Sequence, residues 1–273
     1  MLILTKKQSF LFFILIIVNI STLADTKKSV SNYNWNGLYL GGFLGGASST
    51  TTSTTEPTNN IDGTIYSWNE PYNSNYEYQT SASFMGGGTI GYNWQSANLP
   101  LLLGIEGEYG YLHLKGHHQD PNAVANEIKY YGTYDAHDGA HSTSIGSQYG
   151  YGLIGGRIGY TASRSLFYIK SGAVFTNIQT HFNDYNISGD GAPQLHTSSN
   201  KNTAGYAIGG GIEYALPYTW TSNFSVKAEY LYFGFNRTQN SSGICTCDSP
   251  NIYSTSDKIN GFSTVKLGVN YKF

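Results

Sequence analysis

The chain has 273 residues and a formal net charge of −2, and charged residues make up 12% of it, about half the usage of a typical soluble domain. That balance gives nucleic acid no electrostatic hold, and no basic cluster is placed to track phosphates. After the first residues no apolar run approaches the roughly 20 residues of a spanning helix, so a helical membrane protein is excluded, whereas 33 Gly and 24 Tyr with little charge suit a sheet that turns one face to lipid.

Residues 1–24 read as a secretory signal peptide: Lys6 and Lys7 form the positive flank, Phe10 to Ile20 the apolar core, and Thr22-Leu23-Ala24 the cleavage site. Residues 25–34 are expected to be a short periplasmic N-terminal segment, and 35–273 a single domain. Within it eight segments alternate with period two, at approximately 35–48, 83–95, 101–114, 148–160, 166–178, 203–216, 223–235 and 261–273, the length and pattern of tilted membrane strands. In the sixth, Ala204, Tyr206, Ile208, Ile212 and Tyr214 share one face, while Thr203, Ala207, Glu213 and Ala215 share the other. The last segment puts Val265, Leu267, Val269, Tyr271 and Phe273 on one side and Thr264, Lys266, Asn270 and Lys272 on the other.

The connections alternate in length. Segments 49–82, 115–147, 179–202 and 236–260 are long and polar; Ser96 to Pro100, Thr161 to Ser165 and Pro217 to Ser222 are tight. Outer-membrane barrels have short periplasmic turns and long external loops, and an even strand number leaves both termini on the periplasmic side. The expected fold is therefore all-β: an eight-stranded antiparallel transmembrane β-barrel with its loops at the cell surface. The run Ser49 to Thr55, entirely Ser and Thr, is expected to be a mobile surface segment.

Alternation places Glu106, Glu108, Glu213 and Glu229 inside with Arg157, Lys170, Lys227 and Lys266. An eight-stranded barrel is just wide enough for side chains to fill it, and buried charges are costly unless paired. These eight residues are thus expected to form a lumen charge network that plugs the barrel; the reading left open is a narrow porin for ions or small polar solutes. Tyr92, Trp94, Tyr109, Tyr111, Tyr160, Phe167, Tyr214, Phe224, Tyr230, Tyr232 and Tyr271 are expected to form interfacial aromatic girdles.

The motifs Trp35-Asn36-Gly37-Leu38-Tyr39-Leu40-Gly41-Gly42, Gly91-Tyr92-Asn93-Trp94-Gln95 with Gly104-Ile105-Glu106-Gly107-Glu108, Gly155-Gly156-Arg157-Ile158-Gly159-Tyr160, Gly209-Gly210-Gly211-Ile212-Glu213-Tyr214, Lys227-Ala228-Glu229-Tyr230-Leu231-Tyr232 and Leu267-Gly268-Val269-Asn270-Tyr271-Lys272-Phe273 together resemble the porin-like family of small alphaproteobacterial outer-membrane β-barrel proteins, which includes surface antigens and haem-binding surface proteins. The resemblance implies a structural and surface-interaction role in the cell envelope. It also implies contact with outer-membrane lipid and lipopolysaccharide, and delivery by periplasmic chaperones to the barrel assembly machinery, with Val269, Tyr271 and Phe273 as the assembly signal. A host surface partner fits the same family.

All seven histidines, His113, His117, His118, His137, His141, His181 and His196, fall in or beside the second and third long connections. His117, His118, His137 and His141 are candidate ligands for haem or a metal, but polar loops also collect histidines without a ligand, and no cofactor is expected unless these residues take haem. Cys245 and Cys247 form a weak site by themselves. Some small outer-membrane barrels modify lipid A at the rim, where His113 and Ser142 or Ser144 stand in this chain. No Ser-His-acid set emerges from the spacing, and the chain is expected not to be an enzyme.

Overall fold

In the computed structural model, residues 33–57, 74–119, 121, 140–185, 193–217, 223–244 and 252–273 are described. The signal-peptide reading of 1–24, His137, Cys245 and Cys247 lie outside them.

Eleven strands make one antiparallel sheet: β1 (Gly37–Pro57), β2 (Ser74–Gln79), β3 (Ser83–Gln95), β4 (Leu101–Leu112), β5 (Leu114–Gln119), β6 (Ala140–Ile145), β7 (Tyr151–Ala162), β8 (Ser165–Tyr185), β9 (Pro193–Ala215), β10 (Phe224–Ile244) and β11 (Ile252–Lys272). Eight of them close the barrel in the order β1-β3-β4-β7-β8-β9-β10-β11, and β11 returns to β1 with Tyr39 opposite Lys272 and Ala47 opposite Thr264. The short strands β2, β5 and β6 prolong β3, β4 and β7 beyond the barrel at the long-loop end. At the other end the connections are tight, with Ser163 in a left-handed conformation (φ 57°) between β7 and β8.

The period-two pattern is realised strand by strand. Leu101–Leu112 alternates exposed and buried along nearly its whole length, and in the last strand Val265, Leu267 and Val269 face outward while Thr264, Lys266 and Asn270 are buried. The girdle residues Trp94, Tyr109, Tyr111, Tyr160, Tyr214 and Tyr271 are exposed on the outer surface.

Two expectations are corrected. The strands run well past the barrel, so within the described residues each long connection leaves and re-enters the barrel as extended strand. The Ser49 to Thr55 run is strand, paired with β11 on one side and β2 on the other; β-branched Thr suits a pleated surface, and inward Thr51 is fully buried. The first strand also begins at Gly37, later than read. Trp35, 2% exposed, is instead folded into the barrel mouth: its backbone N–H donates to Gln95 Oε1 at 2.7 Å and its carbonyl accepts from Asn93 Nδ2 at 3.2 Å.

A belt of irregularity separates barrel from extension. Register shifts occur between Ser49 and Thr51 and between Gly234 and Arg237, where Asn236 (φ 41°) and Gly261 (φ 145°) are left-handed. On the other side Gly146 and Gly150 (φ 76° and 67°) separate β6 from β7. Bulges of this kind bend and twist strands.

Two glycines show how much the surroundings differ. A Cβ on inward Gly209 would overlap the Tyr230 carbonyl and press on Leu231, whereas one on outward Gly152 would meet no heavy atom within 4 Å. Gly209→Ala should therefore lower the urea-unfolding stability of the folded barrel by about 1–3 kcal/mol, and Gly152→Ala should change it by less than about 0.5 kcal/mol. Equal effects would refute the packing assignment.

Candidate functional site: a charged layer between two apolar layers

The eight charged residues read from alternation meet in the middle of the barrel, each at most 5% exposed. Lys170 Nζ, from β8, is hydrogen-bonded to Glu106 and lies 3.0 Å from Glu108 Oε2 and 3.4 Å from Glu229 Oε1. Lys266 Nζ, from the closing strand, is 2.7 Å from both Glu108 Oε1 and Glu229 Oε1. Arg157 Nη1 donates to Glu213 Oε2 at 3.1 Å, and Lys227 Nζ stands 3.5 Å from Glu106 Oε2. Four carboxylates thus face four cations, and six of the eight barrel strands contribute. In a lipid-surrounded lumen an unpaired charge would be too costly to keep, and this mutual pairing offsets the desolvation.

Neutral groups complete the network. Tyr39 OH donates to Glu106 Oε2 at 2.7 Å, Tyr168 OH to Glu229 Oε2 at 2.9 Å, and Tyr151 OH to Glu108. Asn93 Oδ1 accepts from Arg157 Nε and Nη2 at 3.1 and 3.0 Å, and Asn270 Nδ2 donates to Glu213 Oε1 at 2.7 Å. The Arg157 guanidinium also lies over the Tyr39 ring, 4.6 Å from its centroid. Charge reading missed the tyrosines, because Tyr in a membrane strand reads as an interfacial anchor. Their inward parity is the signal that separates them from the girdle.

Also missed were the apolar layers above and below. Toward the short turns, Tyr33, Trp35, Leu102, Leu166, Tyr168 and Ala215 pack together, with Tyr33 and Trp35 edge to face at 4.8 Å. Toward the long loops, Phe43, Met85, Leu112, Leu114, Tyr151, Phe233, Phe235 and Phe262 belong to a second buried cluster, in which the Phe233 and Phe262 centroids are 4.7 Å apart. Lys266 Nζ lies 5.0 Å from the Phe43 ring centroid, so this cap rests directly on the charged layer.

Of the four candidate histidines, His137 lies outside the described residues, and strand geometry separates the adjacent pair. His117 and His118 are consecutive in β5, so the alternation of a strand sends them to opposite faces. His118 packs on Tyr76 and Tyr78, with centroids at 5.3 and 6.2 Å, and its register partner is His141. Among the described residues no group of three or more His, Cys, Asp or Glu is placed to hold a metal ion. At the rim His113 Nε2 and Ser144 Oγ are 3.1 Å apart, and among the described residues no carboxylate hydrogen-bonds the His113 ring. The terminal residues Val269, Tyr271 and Phe273 face outward, and the Phe273 N–H donates to the Leu38 carbonyl at 3.0 Å.

Removing one partner leaves the rest buried and unbalanced. Lys170→Met should cost about 3–5 kcal/mol of unfolding free energy, read as a lower urea midpoint for loss of the folded band on gels. A change under about 1 kcal/mol would show that Lys170 does not hold its three carboxylates together.

The match to known proteins agrees with this architecture. Residues 10–273 match the model of the outer membrane protein β-barrel domain family. The 31 kDa outer-membrane immunogenic proteins of Brucella melitensis and Brucella suis are each 30% identical over 254 residues, covering 92% of this chain and 88% of theirs. Among solved structures, outer membrane protein OprG from Pseudomonas aeruginosa is similar over 90% of this chain and 99% of its own, at 11% identity and a TM-score of 0.47. Ail of Yersinia pestis is similar over 85% and 99%, at 13% identity and a TM-score of 0.33. A closed eight-stranded barrel with an apolar outer face, matched along nearly its whole length by the family's sequence pattern, makes this chain an outer-membrane protein of the outer membrane β-barrel domain family.

Proposed function

We propose that the protein is a closed, non-conducting barrel that fixes a surface-exposed β-structure in the outer membrane and stiffens the envelope, and that it is not an enzyme. The observation that carries this reading is the layering of the lumen. A solute would have to pass an apolar floor, a neutral network of paired charges and an aromatic cap, in a barrel narrow enough for side chains to fill. The strands that continue beyond the cap reach the cell surface, because the tight turns of such barrels are periplasmic. The immunogenic character named for the Brucella relatives supports display at the surface. The exposed aromatic end of β11 supports insertion by the barrel assembly machinery, and the outward apolar face supports contact with lipid and lipopolysaccharide.

The test is single-channel recording from the folded protein in a planar bilayer. The wild type should show no steady unitary steps. Because each layer seals by itself, Phe233→Ala with Phe262→Ala should stay closed. Adding Arg157→Ala and Glu106→Ala to that pair should produce openings. Steady conductance in the wild type would overturn the closed-barrel reading and make the protein a narrow porin.

A further inference from the structure

Beyond the belt of bulges the barrel separates into two open sheets. Pairing between β9 and β10 ends at Tyr206 and Gly234. Yet β9 continues along β8 as far as Pro193, and β10 continues along β11 as far as Ile244. On the opposite side β2 pairs with β1 and β5 with β6, giving one sheet of β5, β6, β8 and β9 and another of β2, β1, β11 and β10. The two sheets are tied across their inner faces: Tyr78 OH is hydrogen-bonded to Thr143 Oγ1 at 2.5 Å, and Gln239 accepts from Thr180 Oγ1 at 3.0 Å while donating to the Ile178 carbonyl at 3.1 Å. The β2/β5 split is also stitched along the backbone, where the Ser81 N–H donates to the Lys115 carbonyl at 2.8 Å. Among the described residues, no backbone hydrogen bond joins β9 to β10 beyond Gly234.

An unpaired strand edge presents a row of N–H and C=O groups whose natural complement is another extended strand. The β9/β10 split has two such edges facing each other. Its flanks are basic. Lys201 and Arg237 are exposed, and neither forms an ion pair among the described residues. Their register partners, Ile178 and Ile259, are inward and fully buried, so both cations occupy inner-face positions at the mouth of the split. Charge on an edge opposes pairing with a like-charged edge, which disfavours a second copy of this chain and favours a strand that brings carboxylates.

We propose that the β9/β10 split is a strand-addition site for an extended, acidic peptide segment of a partner protein. The proposal rests on the reading that this end of the barrel is displayed at the cell surface. The occupant would extend one or both sheets through backbone hydrogen bonds, with its acidic side chains beside Lys201 and Arg237.

The probe is a fluorescent ten-residue peptide of alternating Thr and Glu, titrated by anisotropy against the full barrel folded in lipid nanodiscs. Two controls accompany it: an alternating Thr and Lys peptide, and the acidic peptide N-methylated at every second residue. The acidic peptide should bind and slow hydrogen exchange at residues 198–203 and 237–240. Lys201→Glu with Arg237→Glu should weaken it at least tenfold and turn the preference toward the Lys peptide, and the N-methylated peptide should fail to bind. Undiminished binding of the N-methylated peptide, protection confined to other strands, self-association of the barrel without peptide, or no binding of the acidic peptide would each overturn the site. Impermeant maleimide labelling of Lys201→Cys on intact cells, in a chain with Cys245→Ser and Cys247→Ser, separates the two levels: labelling without peptide binding sinks only the site, and absence of labelling sinks the surface reading beneath it.

Discussion

Every feature of this protein depends on one constraint, that lipid offers backbone amides no hydrogen-bond partner. A sheet in that medium must close, and here the closure is the pairing of β1 with β11 from Tyr39 opposite Lys272 to Ala47 opposite Thr264. Eight strands make a narrow ring, so the inward residue of each strand meets those of strands across the lumen. Closure therefore turns a local alternation into a packing problem. Whatever the inward positions carry must fit, and any charge among them must find a partner within the same small volume.

The chain meets that requirement in layers. Charges of opposite sign meet at mid-height, tyrosine hydroxyls and asparagine amides take up remaining carboxylate and guanidinium valences, and apolar side chains pack on either side. Such a network adds little net stability over an apolar filling of the same volume. It also ties register to charge: a one-residue slip of any of the six contributing strands would carry its inward charge to the lipid face. The inward glycines belong to the same arrangement. At Gly91 the Tyr39 ring occupies the space a Cβ would need, and that close approach lets Tyr39 reach Glu106.

Outside the lipid band the constraint lapses, because water can satisfy an open edge. The sheet uses that freedom at once. Bulges at Ser49–Thr51 and Gly234–Arg237, with left-handed Asn236 and Gly261, fall where the barrel gives way to its extension. The strands then regroup into two sheets held by side-chain hydrogen bonds such as Thr180 to Gln239. In that extension the Tyr78 hydroxyl is buried near the Asp257 carboxylate, and burial first, then that charge, holds its pKa above the ordinary tyrosine value. It stays a neutral hydrogen-bonding group there. Barrel and extension are thus one continuous set of strands under two different solvent regimes.

The division between what could be read and what could not follows from the range of the interactions. Alternation in a membrane strand reports which residues face in, because each side chain responds only to lipid or lumen; so the eight strands, their tight turns and the inward parity of Glu106, Arg157, Lys170 and Lys266 were legible residue by residue. The Ser49 to Thr55 run was misread because strand formation there is driven by pairing with β2 and β11, from distant parts of the chain, and its composition resembles a loop. The folding of Trp35 into the mouth was hidden because its pocket exists only once Leu102, Leu166 and Ala215 have been brought together. His117 and His118 looked like a pair because adjacency in sequence carries no information about face until strand geometry separates them. The sequence alone therefore determined the topology and which charged residues enter the lumen, since those follow from local periodicity and charge. Only the tertiary structure decided which charge meets which, that apolar clusters lie above and below the charged layer, and where the extension opens, because each of those depends on distances set by the closure of the ring.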